Sequence, residues 1–129
     1  IPAQSYDGVY SRFVIEHISW RKVKLFISEC YRILKPGGIA VIIGPNLLEQ
    51  AKKLVETERW NEDLICMLFG DQNYPYFWDA NSHHCGFSPE YAKRLFKAAG
   101  FYKTEVYPLS ETIVTDMIIE AHKSRANIG

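Results

Sequence analysis

The sequence predicts an α/β domain on a mixed sheet of about four strands, two parallel and then an antiparallel hairpin, flanked by helices. Three observations predict it. A strand-forming segment near 8–15, a periodic helical segment and the apolar run "IAVIIG" follow one another as strand, helix, strand. A crossover of that kind makes the two strands parallel and the connection right-handed. Two more strand-type segments, about 102–107 and 113–122, stand close enough to form a hairpin.

Each element has its own local reason. Asp7-Gly8 is a turn pair, and Val9, Tyr10, Phe13, Val14 and Ile15 behind it are strand formers. Ser19 is a capping residue. After it Val23, Phe26, Ile27, Cys30, Tyr31 and Leu34 recur at three and four residues, the apolar stripe of a helix over 19–35. "KPGG", Lys35 to Gly38, stops that helix, since proline cannot continue it and glycine permits a tight left-handed turn. The strand at 39–44 is apolar throughout, as in strands buried on both faces. Leu47, Leu48, Ala51, Leu54 and Val55 suit a helix that breaks near Thr57, and Trp60 to Phe69 a second one ending at Gly70. An aromatic loop follows. The helix over 89–99 has Ser88 as cap, Pro89 in its first turn, Tyr91, Leu95 and Phe96 inward and Gly100 as stop.

Composition excludes several functions. The chain has 129 residues, 47% of them hydrophobic, enough for a single core. Fifteen basic residues balance fifteen acidic ones, so neither a nucleic acid nor an anionic membrane is expected as partner. Its apolar runs are far too short to span a bilayer. Cys30, Cys66 and Cys85 are odd in number and widely spaced, which reads as free thiols in a reducing, cytoplasmic setting. Asp79, His83, His84 and Cys85 lack the paired spacing of a metal site, so no metal is expected.

"YDGVYSRFVIEHI" reads as a strand delivering polar groups to a ligand at its end. Tyr6-Asp7-Gly8-Val9, Glu16-His17 and Arg32 to Gly38, then Phe87-Ser88-Pro89-Glu90 and Ala99-Gly100-Phe101, come in a specific order. In order and spacing the set resembles the C-terminal half of class I S-adenosylmethionine-dependent methyltransferases, the small-molecule branch. The resemblance implies a partial Rossmann-like fold, a single partial domain over 1–129. It also implies S-adenosylmethionine as cofactor and a small-molecule methyl acceptor. Such enzymes hold the cofactor on a Gly-x-Gly-x-Gly loop after their first strand and on a ribose-binding carboxylate. No Gly-x-Gly occurs in these 129 residues. "IPAQS" corresponds to the stretch after the third strand, so the expectation is a truncated domain, inactive alone and binding the cofactor weakly or not at all. The alternative is a non-catalytic, degenerate module that self-associates.

By the same resemblance Ser11, Arg12 and His17 face the cofactor. His17, and His83 five residues before Ser88, are the catalytic candidates, because an imidazole can take a proton near neutral pH. Glu16 is expected to fix the turn through backbone amides. Tyr74, Tyr76, Phe77 and Trp78 are expected in a substrate lid. The strand at 8–15, deprived of a neighbour, is an exposed edge, which points to a homodimer.

Overall fold

The computed structural model describes residues 1–58, 61–73 and 79–126. Its elements are β1 (Tyr6–Arg12), a single 3₁₀ turn (Ile15–His17), α1 (Val23–Ile33), β2 (Leu34–Pro45), α2 (Leu47–Thr57), α3 (Glu62–Phe69), α4 (Pro89–Ala99), β3 (Lys103–Pro108) and β4 (Asp116–His122). The sheet order is β1-β2-β4-β3. β1 and β2 run parallel, and β4 is antiparallel to both of its neighbours. The expected α/β class, the parallel pair and the closing hairpin are therefore all present.

The differences lie at element boundaries. The first strand ends at Arg12, not Ile15. Phe13 still donates its amide to Ile43 O (2.8 Å), but its φ of 54° turns the chain out of the strand. Ile15 then drops into the core, fully buried. Gly44 makes room for it: a Cβ there would stand 3.0 Å from Ile15 Cγ2. The helix expected from residue 19 begins at Val23. Ser19 O accepts the amides of Lys22 and Val23, and the intervening residues form a turn.

"KPGG" acts differently from a simple helix stop. Leu34, fully buried, already pairs with Tyr6, and Gly8 pairs with Ile39, so Lys35 to Gly38 bulge out opposite Asp7. Gly37 takes a φ of 84°, and a Cβ on Gly38 would come within 3.0 Å of Asp7 O. The end of α1 is closed from afar. Buried Lys123 donates Nζ to Tyr31 O (2.8 Å) and Leu34 O (2.7 Å), satisfying carbonyls the helix leaves open.

The core lies on one side of the sheet. Ala40, Ile42, Met117, Ile119 and Ala121 meet Val23 and Ile27 of α1 and Ala92, Leu95 and Phe96 of α4. Tyr91 was expected inward but is exposed, stacking on Phe87 at 6.0 Å between centroids. The registers put Tyr10, Ile39, Val41 and Ile118 on the opposite side, where Tyr10 is 65% exposed. α2 forms as expected, yet Leu47, Leu48 and Val55 are exposed and Gln50 is its buried residue.

Candidate functional site

A cleft of about 420 Å³ opens where β1 and β2 end. In open α/β sheets the carboxyl ends of strands are where ligands bind, because the following loops diverge there. Phe13 follows β1, Pro45 closes β2, Gln50 comes from α2, Cys66 and Met67 from α3, and Asp116 begins β4. Glu16, His17 and His83 line the same cleft.

The local fold explains how these three meet. Glu16 O accepts the amides of His84 (2.8 Å) and Cys85 (3.4 Å), and Cys85 Sγ donates to Ile15 O (3.1 Å). His83 N donates to Phe69 O (2.9 Å) at the end of α3. The segment 82–85 is thus clamped between the 3₁₀ turn and α3. The imidazoles of His17 and His83 meet edge to face with centroids 5.1 Å apart.

Glu16 was expected to fix the turn through backbone amides rather than to act chemically. The turn closes through His17 N to Val14 O and Ile18 N to Ile15 O, Glu16 O ties it to residues 84 and 85, and the Glu16 side chain lines the cleft. The residue is 2% exposed, Oε1 lies 3.4 Å from His17 Nε2, and Oε2 is buried without a hydrogen-bond partner among the described residues. Burial raises the carboxyl pKa, opposed by a bond to its own backbone and by His17, and aided by Asp116. Burial likewise lowers the pKa of His83, His17 adding to the effect, while backbone hydrogen bonds to Leu68 and Met67 oppose it. Asp116 is shifted upward by burial, with Arg12 acting against it.

The tautomer of a neutral His17 follows from geometry. Nδ1 lies 3.1 Å from Ser82 O, and a carbonyl only accepts, so Nδ1 carries the hydrogen. Nε2 then turns a lone pair toward Glu16 Oε1.

Of the residues singled out from sequence, His17 and His83 come together. Ser11 does not join them: its register puts it on the core-facing side, its hydroxyl buried and unpartnered among the described residues. Arg12 projects from the opposite side over the Phe13 ring, 5.4 Å from its centroid. Tyr74, Tyr76, Phe77 and Trp78 lie outside the described residues. Asp116, Gln50 and Asn81 were missed as cleft residues. Nothing in local sequence marks them, since each reaches the cleft through long-range packing.

A family profile described as a methyltransferase domain matches residues 2–106. A Mycolicibacterium smegmatis protein named "probable S-adenosylmethionine-dependent methyltransferase" is 44% identical over 46 residues, which are 36% of this chain and 17% of that protein. Among solved structures, a SAM-dependent methyltransferase of Archaeoglobus fulgidus matches with a TM-score of 0.62 at 15% identity, over 95% of this chain and 62% of its own. The 1,6-didemethyltoxoflavin-N1-methyltransferase of Burkholderia thailandensis, solved with 1,6-didemethyltoxoflavin and S-adenosylhomocysteine, matches with a TM-score of 0.55 at 13% identity, over 95% of this chain and 45% of its own. The present chain spans less than two thirds of each of these proteins. The structural likenesses carry the fold, and the profile carries the family: over residues 2–106 this chain belongs to the methyltransferase-domain family.

Proposed function

We propose that this chain forms the acceptor side of an S-adenosylmethionine-dependent methyltransferase acting on a small molecule. The single observation that carries the reading is the cleft at the carboxyl ends of β1 and β2, edged by two imidazoles in a family of methyltransferase domains. The cofactor, when bound, supplies an electrophilic methyl group. The residues of this chain orient the acceptor and receive its proton. His83 suits the second task, because burial keeps its imidazole neutral at pH values where an ordinary histidine begins to protonate. His17 shares the task and edges the cofactor; Ser11 and Arg12, at the end of β1, would reach the cofactor only from the two opposite sides of the sheet on which the register places them. Tyr74, Tyr76, Phe77 and Trp78 are proposed as the lid. The 1,6-didemethyltoxoflavin bound in the Burkholderia structure supports a small-molecule acceptor.

The fit to the cofactor is partial. The chain has the strand-end cleft and lacks the Gly-x-Gly cradle. Hydrogen bonds to charged groups contribute about 1.5–3 kcal/mol each, and several belong to that cradle and its ribose carboxylate. Binding by these 129 residues alone is therefore weaker than micromolar. An NMR titration with S-adenosylhomocysteine tests both points. Shifts confined to amides of 11–17, 44–50 and 81–83, without saturation at micromolar ligand, are expected. Saturation at micromolar ligand removes the claim of weakness, and shifts centred on the β3–β4 hairpin remove the site. The absent cradle also favours a second reading, a non-catalytic module that associates through β1. A titration with no shifts at all selects it.

A further inference from the structure

We propose that Glu16, His17 and His83 form a binding site for one divalent transition-metal ion, zinc above all. Each offers one ligand atom, and the three lie within 4.8 Å of one another. Two imidazoles and a carboxylate are a zinc donor set, with the metal near 2.0–2.2 Å from each atom. Binding would draw the three atoms closer together than they stand here.

Three further observations point to a cation. Glu16 Oε2 is buried with no partner among the described residues, and its carboxyl group sits in the wall of the cleft. A buried carboxylate oxygen in that state is stabilised by a cation beside it. His17 Nε2, the ring nitrogen left over when Nδ1 donates to Ser82 O, faces Glu16 Oε1 at 3.4 Å, so two potential ligand atoms converge on one point. Finally, the outer contacts are those of ligating histidines, which commonly donate their other N–H to a backbone carbonyl. His17 donates to Ser82 O. His83 lies against the backbone of Leu68 and Met67, where its other ring nitrogen has carbonyls within reach.

Among the described residues, no other group of three potential ligands comes as close together. Cys85 gives its thiol hydrogen to Ile15 O. His84 is exposed, with Nε2 beside Asp79 O at 3.4 Å. This site escaped sequence reading because 66 positions separate Glu16–His17 from His83, whereas zinc motifs are read from short spacings. Three protein ligands would leave a coordination position open, and all three residues line the cleft. A hydroxyl or thiol bound there would lose its proton to solvent more readily, the state in which it accepts a methyl group, and with zinc in place His17 and His83 would act as ligands instead of proton acceptors. That use rests on the methyl-transfer reading, whereas metal binding does not.

The test uses metal-stripped protein without a histidine tag. Zinc chloride is titrated in competition with a chromophoric chelator, and circular dichroism checks the fold of every variant. One zinc ion per chain is expected. His17→Gln and His83→Gln weaken it at least tenfold, and His84→Gln leaves it unchanged. Cobalt(II) should give visible absorption in the parent chain that His83→Gln abolishes. No stoichiometric zinc overturns the proposal, as does equal affinity in His83→Gln or a loss in His84→Gln matching that in His83→Gln. Because Glu16 is buried, Glu16→Gln is a supplementary variant and the two histidine variants decide the matter. Zinc binding without cofactor binding would sink the methyl-transfer reading and leave the metal site standing.

Discussion

Glu16 is buried in the wall of the cleft, and that burial has a consequence with a sign. Its carboxyl pKa is higher folded than unfolded, so the native state holds the proton more tightly. The group's contribution to stability is full below the unfolded value of about 4.3. It fades as pH rises through the raised folded value. In metal-free protein, urea titrations of wild type and Glu16→Gln should therefore converge on, or cross toward, wild type as pH falls from 7 to 4. A pH-independent difference would mean that the carboxylate is hydrated after all. For His17 and His83 the relevant readout is turnover. In a complete enzyme containing this segment, His83→Ala should lower turnover by about 10²-fold or more, the usual range for a lost proton acceptor. His17→Ala should act in the same direction, and each should move the melting temperature little. Unchanged turnover in both would favour catalysis by orientation alone. The histidines were visible in the sequence because "EHI" and the position before "FSPE" are local patterns. The role of Glu16 was not, because burial of one carboxylate oxygen is a property of packing and has no local signature.

At the scale of elements, the helices were legible wherever capping chemistry marks them. Ser88 Oγ accepts the amide of Tyr91 and Gly100 closes α4, as read. Where a boundary depends on a distant strand, sequence reading failed. "KPGG" looks like a helix stop in isolation, yet its four residues are a bulge set by pairing with β1. Likewise Val14 and Ile15 are strand formers, but Ile15 has a buried place above Gly44 that no strand could give it. Gly70 links element and site. It caps α3 with a φ of 89°, and a Cβ added there would fall on the carbonyl oxygen of Asn81. Gly70→Ala is expected to cost about 1–3 kcal/mol from backbone strain, with more from the clash. It should also shift the segment carrying His83. Thermal denaturation and the His83 NMR resonances check it, and a melting temperature within 1–2 °C of wild type, on the order of a few tenths of a kcal/mol, would refute it.

At the scale of the molecule, the sheet packs its core on one side, and among the described residues β1 and β3 are its edge strands. β1 is hydrogen-bonded on one side only among the described residues, and it contains neither proline nor lysine to discourage pairing. Tyr6, Tyr10 and Ile39 are exposed on or beside it, and α2 adds Leu47, Leu48 and Val55. We expect the purified chain to self-associate, most simply as a two-fold pair through β1. Sedimentation velocity at rising concentration checks this, and a monomer at high micromolar concentration would count against it. Introducing lysine at Tyr10 should weaken association with little effect on the fold, since that side chain is exposed. The fold class was legible because the periodicity of each element is local to it. The side on which the core would sit was not, because "IAVIIG" is apolar at every position and its alternation is hidden.

The insertion of β4 between β2 and β3 has a kinetic consequence. β1, α1 and β2 are contiguous, so their pairing closes only short loops. β2 and β4 partners stand roughly 70–80 positions apart, and contacts of that separation slow folding. Asp116 lies at the start of β4, and His83 lies on the stretch that must close before β2 and β4 can zip together. The two walls of the cleft are therefore joined last. A partly folded chain would already have its βαβ unit and still have no cleft, so the arrival of ligand affinity during refolding would time the final step of the sheet.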